Sequence, residues 1–307
     1  MNPLIKTAMC IYDQKFREKI PNRVHDLYGG LDGQGYALIT GSSDGIGKGI
    51  AFELAQEGFN LALVSRSEAK LNDVKEQCLR INPQIKVETV PLDFSKAQPS
   101  DYQEIFQDDK YLGGKNITML VNNVGLIDFQ RFLELPPQQI QDLLRVNMFT
   151  QVYFTKYARL NAKKHNQKTA FVHLSSTLSE IGFCYNAIYC GTKTFNKIFA
   201  NSFARNSNNF DQNRIKQIDT LIVKPGTVTT NMTQNKEDFI SVTAQEVGSS
   251  IVRDLGRRQE SYGGMKHTFL GNLTQYTPKF ANNLINLVFG GYFVNHPYID
   301  VKKDITK

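Results

Sequence analysis

Thr40-Gly41-Ser42-Ser43-Asp44-Gly45-Ile46-Gly47 carries three glycines at a spacing that constrains the structure on both sides of it. The apolar run Tyr36–Ile39 before it is typical of a buried strand, and Ile46, Ile50 and Leu54 recur every four residues, as on one face of a helix. The glycines therefore lie in a turn from a strand into a helix. At such a turn, glycines let the backbone approach a pyrophosphate, and the helix N-terminus offers unpaired N–H groups. The segment predicts a dinucleotide-binding turn.

Strand and helix patterns alternate from Tyr36 to about Phe269, with no linker-like break between them. A chain of 307 residues is long enough to bury one substantial core. The alternation predicts an α/β fold with a Rossmann-type doubly wound parallel sheet, whose ligands bind beyond the carboxyl ends of the strands. We predict a single domain over 35–271, with short extensions at 1–34 and 272–307. The predicted strands are Tyr36–Thr40, Leu61–Ser65, Lys86–Leu92, Ile117–Val121, Ala170–Leu174 and Ile218–Val223, with a seventh near His267–Leu270.

Composition narrows the classes of partner. The net charge is +7, yet no basic block is interleaved with aromatic residues, which argues against nucleic-acid binding. The four cysteines show no CxxC spacing, and the five histidines are scattered. Neither a disulfide framework nor a metal site is therefore predicted.

Tyr189 and Lys193 stand four residues apart in Tyr189-Cys190-Gly191-Thr192-Lys193. On a helix, positions i and i+4 share a face, so the lysine ammonium would lie near the tyrosine. A nearby positive charge favours the charged form of an acid, and an ordinary tyrosine pKa of about 10 is too high for efficient proton exchange at neutral pH. The pair is a candidate proton donor with its activating cation. The alternative interpretation is a solvated tyrosine and lysine on a helix surface.

The GxxxGxG spacing of Gly41–Gly47, together with the YxxxK of Tyr189–Lys193, resembles the short-chain dehydrogenase/reductase family, over roughly 35–271. Asn122-Asn123-Val124-Gly125 resembles the family's NNAG, with valine in place of alanine. Pro225–Thr230 resembles the PGxxxT segment that closes over the nicotinamide. Each motif is weak alone, but their correct order along one chain leaves little room for chance.

The resemblance implies four catalytic residues, namely Asn147, Ser176, Tyr189 and Lys193, with Ser176 at a better spacing than Ser175. Tyr189 would donate the proton and Ser176 would stabilise the oxyanion. Lys193 would hold the ribose and lower the tyrosine pKa, and Asn147 would position a water that resupplies the proton. The implied cofactor-binding residues are Gly41, Ser43, Asp44, Gly45, Ile46, Gly47, Arg66, Asp93, Asn123, Gly125, Tyr189, Lys193, Pro225, Gly226 and Thr230.

The end of the second strand predicts which nicotinamide cofactor is used. Leu61–Ser65 is followed by Arg66, with no Asp or Glu at the tip to bind a ribose 2′-hydroxyl. Because a guanidinium offers a planar fork to a phosphate, we predict NADP(H). Arg66 in solvent at the end of the strand is the alternative. Asp93 stands where the family places an adenine-contacting aspartate, or it is an ordinary turn residue.

The sequence around these motifs resembles that of one branch of the family, the very-long-chain 3-oxoacyl-CoA reductases and related 17β-hydroxysteroid dehydrogenases. The resemblance implies NADPH-dependent reduction of a 3-keto group on a long acyl-CoA, or of a steroid ketone. One alternative is a reductase fold retained as a structural or assembly subunit of a larger complex. Another is reduction of a different carbonyl, such as a sugar or a quinone.

The two extensions carry weaker predictions. Residues 1–34 hold no apolar stretch of signal-peptide or transmembrane length. Phe280–Phe289 has apolar residues at helical spacing and predicts a peripheral membrane contact, a lid over the substrate, or packing on the core or a second subunit. The resemblance implies the surface of the endoplasmic reticulum, with mitochondria or cytoplasm left open. It also implies a homo-oligomer, unless the chain is a subunit of a larger complex.

Overall fold

A parallel sheet of seven strands, in the order β3-β2-β1-β4-β5-β6-β9, forms the centre of the structure. The computed structural model describes residues 23–30, 33–128, 130–183, 185–209, 218–233 and 239–276. The strands of this sheet are β1 Tyr36–Thr40, β2 Asn60–Ser65, β3 Val87–Pro91, β4 Ile117–Asn122, β5 Thr169–Leu174, β6 Ile218–Val223 and β9 Glu260–Ser261. A separate small pair is formed by β7 Val228–Thr229 and β8 Val242–Thr243.

Helices connect the strands and cover both faces of the sheet. A π-helical turn at Arg145–Phe149 joins the helices Pro137–Leu144 and Thr150–His165, and short 3₁₀ turns lie at Phe132–Glu134 and Asn231–Thr233. The helices are α1 Arg23–Tyr28, α2 Gly45–Gln56, α3 Glu68–Ile81, α4 Pro99–Gln107, α5 Pro137–Leu144, α6 Thr150–His165, α7 Leu178–Ile181, α8 Ala187–Asn209, α9 Ala244–Asp254 and α10 Met265–Tyr276.

Two apolar clusters hold the helices on the sheet. Because successive side chains of a strand point to opposite faces, Ile39 packs in one cluster with Leu54 of α2, and Leu38 packs in the other with Phe154 of α6. All five residues of β1 and all six of β2 are buried, as expected for parallel strands covered on both faces.

The strand order reverses beside β1, whose neighbours are β2 on one side and β4 on the other. The chain runs outward from β1 to β3, and then crosses back to continue from β4 to β6. In doubly wound sheets such a switch point leaves a crevice at the carboxyl ends of the strands, where ligands bind. The glycine turn after β1 and the Asn123–Gly125 loop after β4 both begin here.

The α/β architecture and the parallel doubly wound sheet are as the sequence predicts, and one strand prediction is wrong. His267–Leu270 belongs to α10, and the seventh strand is Glu260–Ser261, which pairs with Ile222 and Val223. A four-residue run that is only partly apolar cannot distinguish a strand from a helical segment. The true strand is two residues long and polar, so it carries no periodic signal.

Part of the predicted N-terminal extension is docked on the domain. Arg23 of α1 donates from Nη2 to the carbonyl oxygens of Val252 and Leu255, at 2.8 and 2.9 Å, near the end of α9. Tyr28 donates from Oη to Asp219 Oδ2 at 2.6 Å. The predicted C-terminal helical stretch Phe280–Phe289 lies outside the described residues. Among the helices of the part that is described, none combines the length and the apolar character needed to cross a membrane.

Candidate active site

The glycine turn between β1 and α2 is closed too tightly to admit side chains. Gly41 and Gly45 have positive φ angles of 67° and 52°, a region that favours glycine. A Cβ on Gly47 would lie 2.2 Å from the carbonyl oxygen of Gly41. Asp44 caps α2 by accepting from Gly45 N at 2.7 Å. The backbone is therefore bare where α2 begins, and it fits a pyrophosphate at the helix N-terminus.

The loop after β4 is tied to this turn by Asn123. Its Nδ2 donates to the carbonyl oxygens of Thr40 and Gly41, at 2.8 and 3.1 Å, and its backbone N–H donates to Thr40 Oγ1 at 3.0 Å. On the other side, Ser43 Oγ lies 2.7 Å from Ser65 Oγ at the end of β2. The three loops that would surround a dinucleotide are thus fixed to one another.

The two residues predicted to contact the adenosine end are placed differently. Arg66 is exposed directly after β2, and its guanidinium has no hydrogen bond or ion pair with any described residue. Asp93 accepts through Oδ1 from Ser95 N at 3.1 Å and from Ser95 Oγ at 2.7 Å, so one carboxylate oxygen is committed to its own turn. Its second oxygen is 3.9 Å from Lys96 Nζ.

Tyr189 and Lys193 lie on one face of α8, with Lys193 Nζ 5.6 Å from the centroid of the tyrosine ring. The ammonium is buried and donates to the carbonyl oxygen of Leu174 at 3.0 Å. Burial lowers the pKa of Lys193 to about 8. Burial also raises the pKa of Tyr189 to about 12, against the opposite effect of a hydrogen bond from Ser176. The pKa of Tyr189 is therefore raised and not lowered as expected, because burial is the largest effect on it and Lys193 is not among the described groups that shift it.

The adjacent serines of the predicted site point to different partners. The Ser176 hydroxyl lies near the Tyr189 hydroxyl, where it acts to lower the pKa of the phenol, and its Oγ accepts from Leu178 N at 3.1 Å. Ser175 instead donates from Oγ to the carbonyl oxygen of Lys193 at 2.8 Å, so it fastens β5 to α8. Ser176 is therefore the serine at the tyrosine hydroxyl.

Asn147 lies in the π-helical turn, and its side chain makes three hydrogen bonds. Its Oδ1 accepts from Leu126 N at 2.7 Å, and its Nδ2 donates to Leu126 O at 2.9 Å and to Thr192 Oγ1 at 3.0 Å. A Cβ on Gly125 would lie 3.2 Å from Lys193 Nζ and 3.4 Å from Asn147 Oδ1. The amide oxygen and the ammonium thus approach Gly125 on the same side, where the absence of a side chain leaves room for both.

The segment that begins at Pro225 passes over the glycine turn. Thr230 Cγ2 is 3.0 Å from the position that a Cβ on Gly45 would take, and Asn231 Nδ2 donates to Asp44 Oδ2. His267 holds the start of the segment, because its Nδ1 accepts from Gly226 N at 3.2 Å and its Nε2 lies 3.0 Å from the carbonyl oxygen of Thr227. The predicted lid over a nicotinamide is therefore in contact with the predicted pyrophosphate turn.

The short chain dehydrogenase family model matches residues 35–240 of this chain, which include all four motifs. The chain belongs to the short chain dehydrogenase family. Membership in this family makes it an oxidoreductase that works with a nicotinamide cofactor, and the bare turn between β1 and α2 fits the dinucleotide.

Relatives of this short chain dehydrogenase include two kinds of lipid-related enzyme. A 17-beta-hydroxysteroid dehydrogenase type 3 of Danio rerio is 28% identical over 80% of this chain and 78% of that protein. A very-long-chain 3-oxoacyl-CoA reductase of Caenorhabditis briggsae is 47% identical over 31% of this chain, and the match spans only 29% of that protein. The fold is similar to that of a solved 7beta-hydroxysteroid dehydrogenase, with a TM-score of 0.71 at 18% identity over 82% of this chain and 96% of that one.

Three residues of this dehydrogenase site were not singled out from the sequence. Thr192 was inside the quoted Tyr189–Lys193 motif, and its hydroxyl bonds both Asn147 Nδ2 and the carbonyl oxygen of Tyr189. His267 is 41 residues from Gly226 and carries no local signal. Asp128 follows the Asn122–Gly125 motif closely, and its carboxylate accepts from Tyr189 N at 3.1 Å. The described residues contain no group of three or more His, Cys, Asp or Glu side chains that could hold a metal ion.

Proposed function

We propose that this short chain dehydrogenase is an NADPH-dependent ketoreductase that reduces the 3-keto group of a long-chain acyl-CoA, or a steroid ketone. The observation that carries the proposal is the convergence of Ser176, Tyr189 and Lys193 beside the bare glycine turn, with Asn147 on the same side of Gly125 as the lysine. A proton donor, an oxyanion partner and a buried cation thus lie at the carboxyl ends of the strands, next to a dinucleotide cradle.

The cofactor would be held by groups that the structure leaves bare or free to bind. The first turn of α2 receives the pyrophosphate, Arg66 receives a 2′-phosphate, and Lys193 holds the nicotinamide ribose. Asn123 and Gly125 form the wall opposite, and Pro225–Thr230 covers the nicotinamide. When bound, the reduced nicotinamide supplies the hydride that the carbonyl carbon accepts.

Tyr189 supplies the proton that the carbonyl oxygen accepts. Because burial keeps the pKa of Tyr189 at about 12, the phenol holds its proton at neutral pH and is available as the acid. The Ser176 hydroxyl, which lies near the phenol, is placed to bond the same carbonyl oxygen as negative charge develops on it. Lys193, with a pKa of about 8, is mainly an ammonium at neutral pH and offers the positive charge that the tyrosinate needs after proton transfer.

Exposed apolar side chains in the connection between β4 and α5 support a lipid-like substrate. Leu126, which bonds Asn147 through its backbone, is exposed, and so are Phe132 and Leu133 farther along the same loop. Leu133 is 93% exposed, so its side chain is available for contact with an acyl chain or a steroid ring system. The names of the relatives point to the same two substrate classes.

The proposal predicts turnover of a long-chain 3-oxoacyl-CoA or of a steroid ketone, measured as loss of NADPH absorbance. A short-chain 3-oxoacyl-CoA of the same headgroup is the matched control, and its kcat/KM is expected to be lower because it leaves the apolar loop uncovered. Bound NADPH without turnover of any of these ketones would contradict the proposed substrates. That result would favour other carbonyl substrates, such as sugars and quinones, or a role as a structural subunit. The compartment and the oligomeric state stay predictions.

Arg66 should decide the preference for NADPH over NADH. Replacing Arg66 with alanine is expected to weaken NADPH binding by about 10- to 100-fold and to leave NADH binding nearly unchanged, because a charge-assisted bond to phosphate contributes roughly 1.5–3 kcal/mol. Both dissociation constants are measured by quenching of tyrosine fluorescence. Arg80→Ala, which removes an exposed arginine at the other end of α3, is the control for net charge. Tighter binding of NADH than of NADPH by the unaltered protein would contradict the assignment.

A further inference from the structure

Asp128 lies in the loop that follows β4, three residues after Gly125, and its side chain is only 1% exposed. Its Oδ1 accepts a hydrogen bond from the backbone N–H of Tyr189 at 3.1 Å. The backbone carbonyl of the same residue accepts from Asn186 Nδ2. The loop therefore holds the beginning of α8 at two points, one through a side chain and one through the backbone.

The first N–H groups of a helix have no partner within it, and the residue just before the helix usually bonds one of them. In α8 the residue before Ala187 is Asn186, whose amide nitrogen is turned toward the β4 loop instead. The carboxylate of Asp128, 61 residues earlier in the chain than Tyr189, takes over this role. A negative charge at this end of a helix is further favoured by the helix dipole.

The residue that Asp128 holds is the proton donor. The side chains of three other residues hold the tyrosine in place. Its backbone N–H donates to Asp128, its carbonyl oxygen accepts from Thr192 Oγ1 at 2.8 Å, and its hydroxyl lies near that of Ser176. Loss of the first of these bonds would free the first turn of α8 to shift relative to Ser176.

We infer that Asp128 is a positioning residue, whose carboxylate anchors the first turn of α8 and thereby holds the Tyr189 hydroxyl against Ser176. The inference rests on the proposed function, because it takes Tyr189 as the proton donor. Anchoring needs only one acceptor oxygen, and the other one, Oδ2, is buried with no hydrogen-bond partner among the described residues. A neutral asparagine would therefore supply the same bond at a smaller desolvation cost, so the charge of Asp128 has a separate effect.

The charge of Asp128 affects the ionisation of Tyr189. The groups that face the phenol are Lys193 and Cys190 from its own helix, Ser176 from the loop after β5, and Asp128 from the loop after β4. The negative charge of Asp128 raises the pKa of Tyr189. Removing the charge therefore lowers that pKa. Because the pKa of Lys193 is about 8, the alkaline limb that reports Tyr189 is the one at higher pH. Reduction needs the protonated phenol, so this alkaline limb of the kcat profile should then move to lower pH.

Two variants separate the bond from the charge. Asp128→Asn keeps an acceptor oxygen, so kcat at neutral pH should stay within about threefold, while the alkaline limb moves to lower pH. Asp128→Ala removes bond and charge, and kcat should fall by roughly 10²-fold with KM nearly unchanged, since a small misplacement of a reacting group costs about that much. Asp101 accepts from Gln98 N at 2.9 Å at the start of α4, remote from the site, so Asp101→Asn and Asp101→Ala are matched controls.

An unmoved alkaline limb in Asp128→Asn would overturn the inference, as would an unchanged kcat in Asp128→Ala or an equal loss in Asp101→Ala. If Asp128→Ala does not fold, the pH profile of Asp128→Asn decides alone. A second readout does not depend on turnover. It is NMR titration of ¹³Cζ-labelled tyrosine in the full chain with NADPH bound, with the Tyr189 signal identified by its loss in Tyr189→Phe. Ionisation of Tyr189 at a lower pH in Asp128→Asn supports the inference even if no tested ketone is reduced. The lack of turnover would count against the proposed substrates only.

Discussion

Replacement of Tyr189 with phenylalanine is expected to lower kcat by about 10²- to 10⁴-fold, the usual contribution of a positioned general acid. Only the hydroxyl is removed, and the ring remains next to Lys193 on α8, so the dissociation constant of NADPH should change by no more than about twofold. The measurement pairs single-turnover reduction of the ketone that proves active with direct titration of NADPH.

Tyr157→Phe is the matched control for this change. Tyr157 lies on α6, and its hydroxyl donates to Gln103 Oε1 at 3.4 Å near the surface, away from the site. Turnover by Tyr157→Phe should equal that of the unaltered protein. If Tyr189→Phe kept full activity, the proton would have to come from another group, and the roles assigned to Ser176 and Lys193 would fall with that of the tyrosine.

Gly47→Ala should disable cofactor binding. The added Cβ would lie 2.2 Å from the carbonyl oxygen of Gly41 and 2.6 Å from Asn123 Nδ2, and the nearer obstacle is backbone that cannot rotate away. If the turn opens to relieve this overlap, the strain of roughly 1–3 kcal/mol becomes a loss of about 10- to 100-fold in NADPH affinity. If the turn stays closed, the same strain appears as a lower free energy of unfolding.

Two measurements on the Gly47→Ala protein separate these outcomes. Calorimetric titration with NADPH gives the affinity, and urea unfolding gives the stability. Gln56→Ala is the control, because it makes a substitution at an exposed position near the end of the same helix and should change neither quantity appreciably. Unchanged affinity and unchanged stability in Gly47→Ala would mean that the glycine turn is not closed as described.

The parts of the fold that could be predicted are those in which local pattern and long-range packing agree. β1, β2, β4, β5 and β6 are apolar runs buried on both faces, and each is bounded by turn residues, so their positions follow from the sequence. The helix of Tyr189 and Lys193 was instead taken from the four-residue spacing of the pair, and α8 confirms it. The edge strand Glu260–Ser261 was missed, because a two-residue strand is defined by its neighbour β6 and not by its own side chains.

The parts of the site that could not be predicted depend on contacts between residues far apart in the chain. Asp128 meets Tyr189, and His267 meets Gly226, only after the sheet has brought their loops together. The direction of the shift in the Tyr189 pKa could not be predicted from residue spacing either. A lysine four residues away indicates a lowered pKa, whereas the burial of the phenol, which no motif reports, raises it.

The position of Asn147 depends on the helical register that the π-helical turn at Arg145–Phe149 sets. Pro137–Leu144, this turn and Thr150–His165 form one continuous helical run, in which Thr150 N bonds the carbonyl oxygen of Arg145, five residues back. Such a turn holds one residue more than an α-helical turn. Deleting that residue would restore a regular helix and rotate everything on one side of it by about 100° relative to the other. The Asn147 amide can thus join Leu126 to Thr192 only while the helix keeps this π-helical turn.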